Sequence, residues 1–245
     1  MRGSPILCIM TPEERRLAKV LLEEEREQLV CFGRRLVTSG LTRGTGGNIS
    51  VLRRHEGLWA LTPSGLDYFE ARPEDMVVLD LEGHVREGHR VPSSEMALHR
   101  EVYRRRSDAG AVVHTHSPFA TTAACLRESI PAVHYLVGFA GEDVPCAPYA
   151  TFGTDELAES AATHLEHRDA TLLANHGLLA LGKTLVRAFA VAEEIEFVAE
   201  LWWRTRCVGT PMVLDAKEMA RVREKFSRYG QGAERPTTEE GMPQS

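Results

Sequence analysis

Apolar and polar positions follow two periods along this chain, and the switches between them outline its elements. A helical period covers 11–39, with Leu17, Val20, Leu21, Gln28, Phe32 and Leu36 on one stripe. Thr11 as N-cap, Pro12 at the first helical position and Glu14 closing a capping box predict its start, and Gly40 predicts its end. The run Glu23 to Glu27 predicts its solvated face. From Gly44 to Glu87 the pattern breaks into short strands, predicted over 48–52, 58–61 and 76–81, joined by Gly-rich turns. A helix is predicted from Ser93 or Ser94 to Arg106, then a buried strand over 111–114 and a loop at Ser117-Pro118. The stretch 130–154 is loop-rich, and Thr154 with Asp155 opens a helix to His167. Two apolar runs, 171–174 and 178–181, read as strands around the tight turn Asn175-His176-Gly177. A long helix over 183–207 carries Leu185, Ala188, Phe189, Ala192, Ile195, Ala199 and Trp202 on one side. Asp215 caps a last helix to Tyr229.

Because helices and strands interleave throughout, the pattern predicts one domain of helices layered on a sheet. Its expected limits are 11–230, with 1–10 an N-terminal extension and 231–245 a polar, aromatic-free tail that reads as disordered.

Composition narrows the class of partner. With 43% apolar and 26% charged residues, the chain has the make-up of an ordinary globular protein. A net charge of −6 argues against nucleic acid or an anionic membrane as partner. No apolar run approaches the ~20 residues of a membrane span, and the start lacks a secretory signal. Cys8, Cys31, Cys125, Cys146 and Cys207 form no C-x-x-C, which predicts reduced thiols and a cytoplasmic location.

Four clusters could carry chemistry. His114-Thr115-His116 ends a predicted strand, where residues two apart share a face and can converge on one ion. His176 sits in a rigid turn and would add a third imidazole, leaving an open position on a tetrahedral cation. Ser93, Ser94 and Glu95 stand at a helix start, which is either ordinary capping or an anion site. Gly44-Thr45-Gly46-Gly47-Asn48 and Thr62-Pro63-Ser64-Gly65 are turns whose amides could cradle an anion. The first is neither a dinucleotide fingerprint nor a P-loop. Each cluster taken alone is also compatible with core packing, a cap or a plain turn.

Taken in order, these motifs resemble the class II aldolase/adducin family over nearly the whole chain, from the first helix to Tyr229. The segments 129–135, 144–154 and 224–230 are especially similar to the branch that cleaves L-fuculose 1-phosphate. The resemblance implies an α/β/α three-layer sandwich around a central, largely antiparallel sheet. It also implies a C4 homotetramer with active sites at subunit interfaces. One Zn2+ per subunit would be held by His114, His116 and His176, with Glu95 as both ligand and catalytic carboxylate. Gly47, Asn48, Ser64, Gly65, Ser93 and Ser94 would hold the phosphate of a sugar phosphate. Tyr135 would serve the aldehyde end from a neighbouring subunit, with Tyr229 close to the site. The implied reaction is a reversible retro-aldol cleavage to dihydroxyacetone phosphate and L-lactaldehyde through an enediolate.

Two departures stand out: Asn175, where relatives often carry a second His, and Gly46, where alanine is commoner. Alternatives within the family are aldolases of 5-deoxyribulose or methylthioribulose phosphates, related dehydratases, and a ribulose-phosphate 4-epimerase. The epimerase branch typically carries Asp where this chain has Glu95. A non-enzymatic, adducin-like interaction module would lack the full metal set. The other seven histidines, His99 and His134 among them, read as surface or structural.

Overall fold

The computed structural model describes residues 20–228. Within them lie eight strands: β1 (Asn48–Arg53), β2 (Leu58–Leu61), β3 (Val77–Asp80), β4 (Val85–Glu87), β5 (Ala111–Thr115), β6 (Cys146–Ala147), β7 (Ala170–Leu173) and β8 (Gly177–Gly182). They form one sheet in the order β4-β3-β2-β1-β5-β8-β7-β6. All neighbours run antiparallel except β6 and β7. The helices are α1 (Glu23–Thr38), α2 (Met96–Arg105), α3 (Pro118–Leu126), α4 (Asp155–His164), α5 (Leu185–Val208) and α6 (Ala216–Arg228).

Strand alternation sorts apolar side chains to the two faces. Ile49, Val51, Ala60, Val78, Ala111 and Val113 pack with α1, α3 and α5 in one cluster. Leu52, Trp59, Leu61, Val77, Leu79 and Val112 pack with α2 and α4 in the other. The expected sandwich of helices around a largely antiparallel sheet is therefore the observed one. In α5 the whole expected stripe, from Leu185 to Trp202, is buried. No helix among the described residues is long and apolar enough to cross a membrane. The four described cysteines are free.

The structure corrects three local expectations. The first helix does not run unbroken, because Leu22 has φ 54° and α1 begins after it. Its expected start at Thr11 lies outside the described residues. The buried face of α1 is Arg26, Leu29, Val30, Phe32, Gly33 and Leu36, while Gln28 is exposed. Arg26 is buried within the acidic run because its guanidinium meets Glu87 at 2.6 Å and the Leu21 carbonyl at 2.8 Å. The expected loop at Ser117-Pro118 instead opens α3. Glu196 of α5 accepts from the backbone N–H groups of Phe119 and Ala120, both at 2.8 Å. A distant carboxylate thus satisfies the helix start in place of a local cap.

Candidate active site

The antiparallel order brings the start of β1, the end of β5 and the β7–β8 turn together at one end of the central strands. Asn48 pairs with His114, and His114 with Leu179. His116 lies just beyond β5. His176 sits in the turn, where Asn175 holds φ 54°, a left-handed conformation that asparagine adopts readily. Glu95 enters from the opposite layer, at the residue before α2. The helix starts slightly later than expected, and Ser93 Oγ accepts the Glu95 N–H at 3.2 Å.

These four side chains converge. One ligand atom from each of Glu95, His114, His116 and His176 lies within 4.8 Å of all the others. His114 Nδ1 is 2.9 Å from the Leu178 carbonyl, which can only accept, so Nδ1 carries the proton. Its bare Nε2 then faces His116 Nε2 at 3.0 Å and Glu95 Oε2 at 3.2 Å. Glu95 Oε1 lies 3.1 Å from His176 Nε2 and is buried without a hydrogen-bond partner. Three imidazoles and a carboxylate aimed at one point, with an orphaned buried oxygen among them, fit a divalent cation.

Electrostatics agree. Burial alone would raise the Glu95 carboxyl, but the imidazoles of His114 and His176 beside it hold it well below the ordinary range. Burial pushes His116 down to about 4, so it stays neutral, as a metal ligand must.

A cavity of about 530 Å³ opens over the cluster. Gly47, Asn48, Ser64, Gly65, Ser93 and Ser94, the expected phosphate residues, all line it together with Glu95, His116 and His176. The backbone N–H of Ser64 is spent on the Val91 carbonyl, which leaves its hydroxyl as the donor. Gly47 has φ 68°, and a Cβ there would stand 2.6 Å from the His114 carbonyl. The Gly-rich turn therefore also lets β1 enter close beside the histidine strand. Tyr68 donates to the Gly47 carbonyl at 2.9 Å and pins that turn. No lysine lines the cavity among the described residues.

Other expected residues lie elsewhere. Tyr135 is exposed in a short helix, Tyr135–Phe139, against His134 and Phe226, and does not line this chain's own cavity. Tyr229 lies outside the described residues. The sequence reading omitted Thr45, Tyr149, Phe152 and Asn175 from the site, though all four line the cavity. His99, read from sequence as surface or structural, is fully buried behind Glu95 and held down to about 3 chiefly by burial. The available signal was the spacing of Glu95, His99 and Tyr103, polar groups four apart on one face of α2.

Comparison with known proteins points the same way. The model of the class II aldolase and adducin N-terminal domain matches residues 27–203. A 5-deoxy-D-ribulose 1-phosphate aldolase from Bacillus thuringiensis is 52% identical over 86% of this chain and 100% of its own length. An L-fuculose phosphate aldolase from Escherichia coli K12 is 44% identical over 78% of this chain and 88% of its own. The solved structure of an L-fuculose 1-phosphate aldolase superposes with a TM-score of 0.82 at 47% identity, covering 83% of this chain and 96% of that one.

Proposed function

Because this chain belongs to the class II aldolase and adducin family, we propose that it cleaves 5-deoxyribulose 1-phosphate to dihydroxyacetone phosphate and acetaldehyde. The family match and the cluster of Glu95 with three imidazoles make it a class II, metal-dependent aldolase. The observation that carries the reading is that cluster, set in the floor of a cavity with hydroxyls, glycine turns and a helix start on its wall. The 5-deoxy substrate is preferred to the fuculose phosphate expected from 129–135 and 144–154, because the 5-deoxyribulose relative is 52% identical and the fuculose relative 44%.

The chemistry suits the residues. A zinc ion held by His114, His116, His176 and Glu95 would supply concentrated positive charge beside the ketose carbonyl. Among the described residues, no lysine lines the cavity to form a Schiff base instead. Ser64, Ser93 and Ser94 would hold the phosphate and fix the register of the sugar chain. As the C3–C4 bond breaks, the proton on the C4 oxygen must leave, and its electron pair closes the aldehyde carbonyl. The electrons of the broken bond form a C2–C3 double bond and the carbonyl pair moves onto the C2 oxygen; the proton released from the C4 oxygen balances the one that Glu95 Oε1, once protonated, delivers at C3. Tyr135 would serve the aldehyde oxygen from a second copy of this chain.

A panel of ketose 1-phosphates, assayed with zinc for release of dihydroxyacetone phosphate, tests this. The expected result is cleavage, with a higher kcat/KM on 5-deoxyribulose 1-phosphate than on L-fuculose 1-phosphate. The opposite preference restores the fuculose reading. Epimerisation or dehydration without cleavage overturns the proposal.

A further inference from the structure

Behind Glu95 runs a buried line of polar side chains whose hydrogen bonds can point in one direction only. Asn48 Nδ2 lies 2.9 Å from Glu95 Oε2. An ionised carboxylate only accepts, so Asn48 presents its NH2 to Glu95 and its Oδ1 to the far side. His99 Nε2 is 2.5 Å from that Oδ1 and must donate to it. Neutral His99 then has a bare Nδ1, 2.7 Å from Ser50 Oγ, which donates. Ser50 has now used its only proton, so it accepts from the Tyr103 hydroxyl at 2.6 Å. Tyr103, Ser50 and His99 are 1%, 0% and 0% exposed, so water does not compete for these bonds. Trp59 stacks on the His99 ring at 6.4 Å and 9° and fixes its plane.

The line has a chemical consequence at its end. Glu95 Oε2 is held by the Asn48 N–H, while Oε1 is the buried oxygen without a partner. A flipped Asn48 would face the carboxylate with its own carbonyl and His99 Nε2–H with an NH2, losing two bonds at once.

We propose that Tyr103, Ser50 and His99 are positioning residues that lock the Asn48 amide in one orientation, so that Glu95 Oε2 is fixed and Oε1 is left to exchange the proton with substrate. The last clause rests on the aldolase reading; the direction of the line does not.

His99→Phe keeps a buried ring but cuts the line, and His99→Gln restores one donor towards Asn48 and one acceptor towards Ser50. The expected loss in kcat for His99→Phe is about 10–100-fold, the range for a partner that orients a metal ligand. KM should stay within about threefold and the metal content unchanged, because the serines of the phosphate wall and the imidazoles keep their places. His99→Gln should recover most of the loss. Equal losses in both variants at wild-type melting temperature, or wild-type kcat in His99→Phe, overturn the proposal. If His99→Phe does not fold, Tyr103→Phe removes a single hydroxyl and should show a smaller loss of the same kind; wild-type kcat there overturns the proposal.

Imidazole 15N spectra of the zinc-loaded wild-type chain give a readout independent of turnover. His99 should be a neutral Nε2–H tautomer whose signals vanish in His99→Gln. An Nδ1–H tautomer refutes the line even in an active enzyme. Should the wild type cleave no ketose phosphate, the aldolase reading fails, and the tautomer still decides the direction of the line.

Discussion

Replacing Gly47 by alanine separates two costs that the structure lets us count. The residue has φ 68°, and in that region a Cβ crowds the following carbonyl by about 1–2 kcal/mol. Its Cβ would also stand 2.6 Å from the His114 carbonyl oxygen, a backbone atom of β5. Relieving that contact requires the end of β5 to move by roughly half an ångström, the tolerance within which a functional site must be held. The strand carries His114 and leads into His116, so the shift falls on two ligands of the cluster. Gly57 is the control, with φ 65° and nothing within 4 Å of its Cβ position. Gly57→Ala should lower the melting temperature by about 2–4 °C per kcal/mol lost and leave turnover intact. Gly47→Ala should lower it further, weaken metal retention against a chelator, and reduce kcat by about 10–100-fold. Thermal unfolding, metal content and steady-state kinetics on both variants read these terms separately. Equal melting shifts with full metal and full turnover in Gly47→Ala would show that the close approach to His114 does not matter.

Glu95→Gln keeps the shape and the Asn48 contact but cannot trade a proton, so kcat should fall about 10²–10⁴-fold with metal still bound; near-normal activity refutes its role. Stripping the metal should lower the melting temperature reversibly, since a ligand at about 1,000 times its Kd stabilises by roughly 4 kcal/mol. His176→Ala should abolish that shift, and an unchanged shift would remove His176 from the ligand set. Asp75 is buried, which alone would raise its carboxyl, yet Arg90 at 2.9 Å and the Arg72 N–H at 3.0 Å hold it below the ordinary range. Its stabilisation is complete above about pH 4, the unfolded value, and fades as pH falls through the lower folded value. The melting-temperature gap between wild type and Asp75→Asn should therefore shrink on acidification; a gap independent of pH contradicts the pairing.

Much of the architecture was legible in local pattern. The apolar stripe of α5, the continuous apolar runs of β5, β7 and β8, and the turn around His176 are each set by side chains close in sequence. The donor types at 95, 114, 116 and 176 were legible too, because the chemistry of a metal set is written in residue identity. What local pattern could not show are relations between residues far apart in the chain. The start of α3 carries no cap of its own, because Glu196 of α5 supplies it. Arg26 inside an acidic run is buried because β4 brings Glu87 to it. Gly47 is explained by the His114 carbonyl as much as by its turn, and His99 by Asn48 and Ser50 on β1. The sequence by itself determined which elements form and which groups could bind an ion. Only the tertiary structure decided that β1, β5, the β7–β8 turn and the start of α2 meet at one end of the central strands, because strand order depends on long-range pairing and packing that no local period encodes.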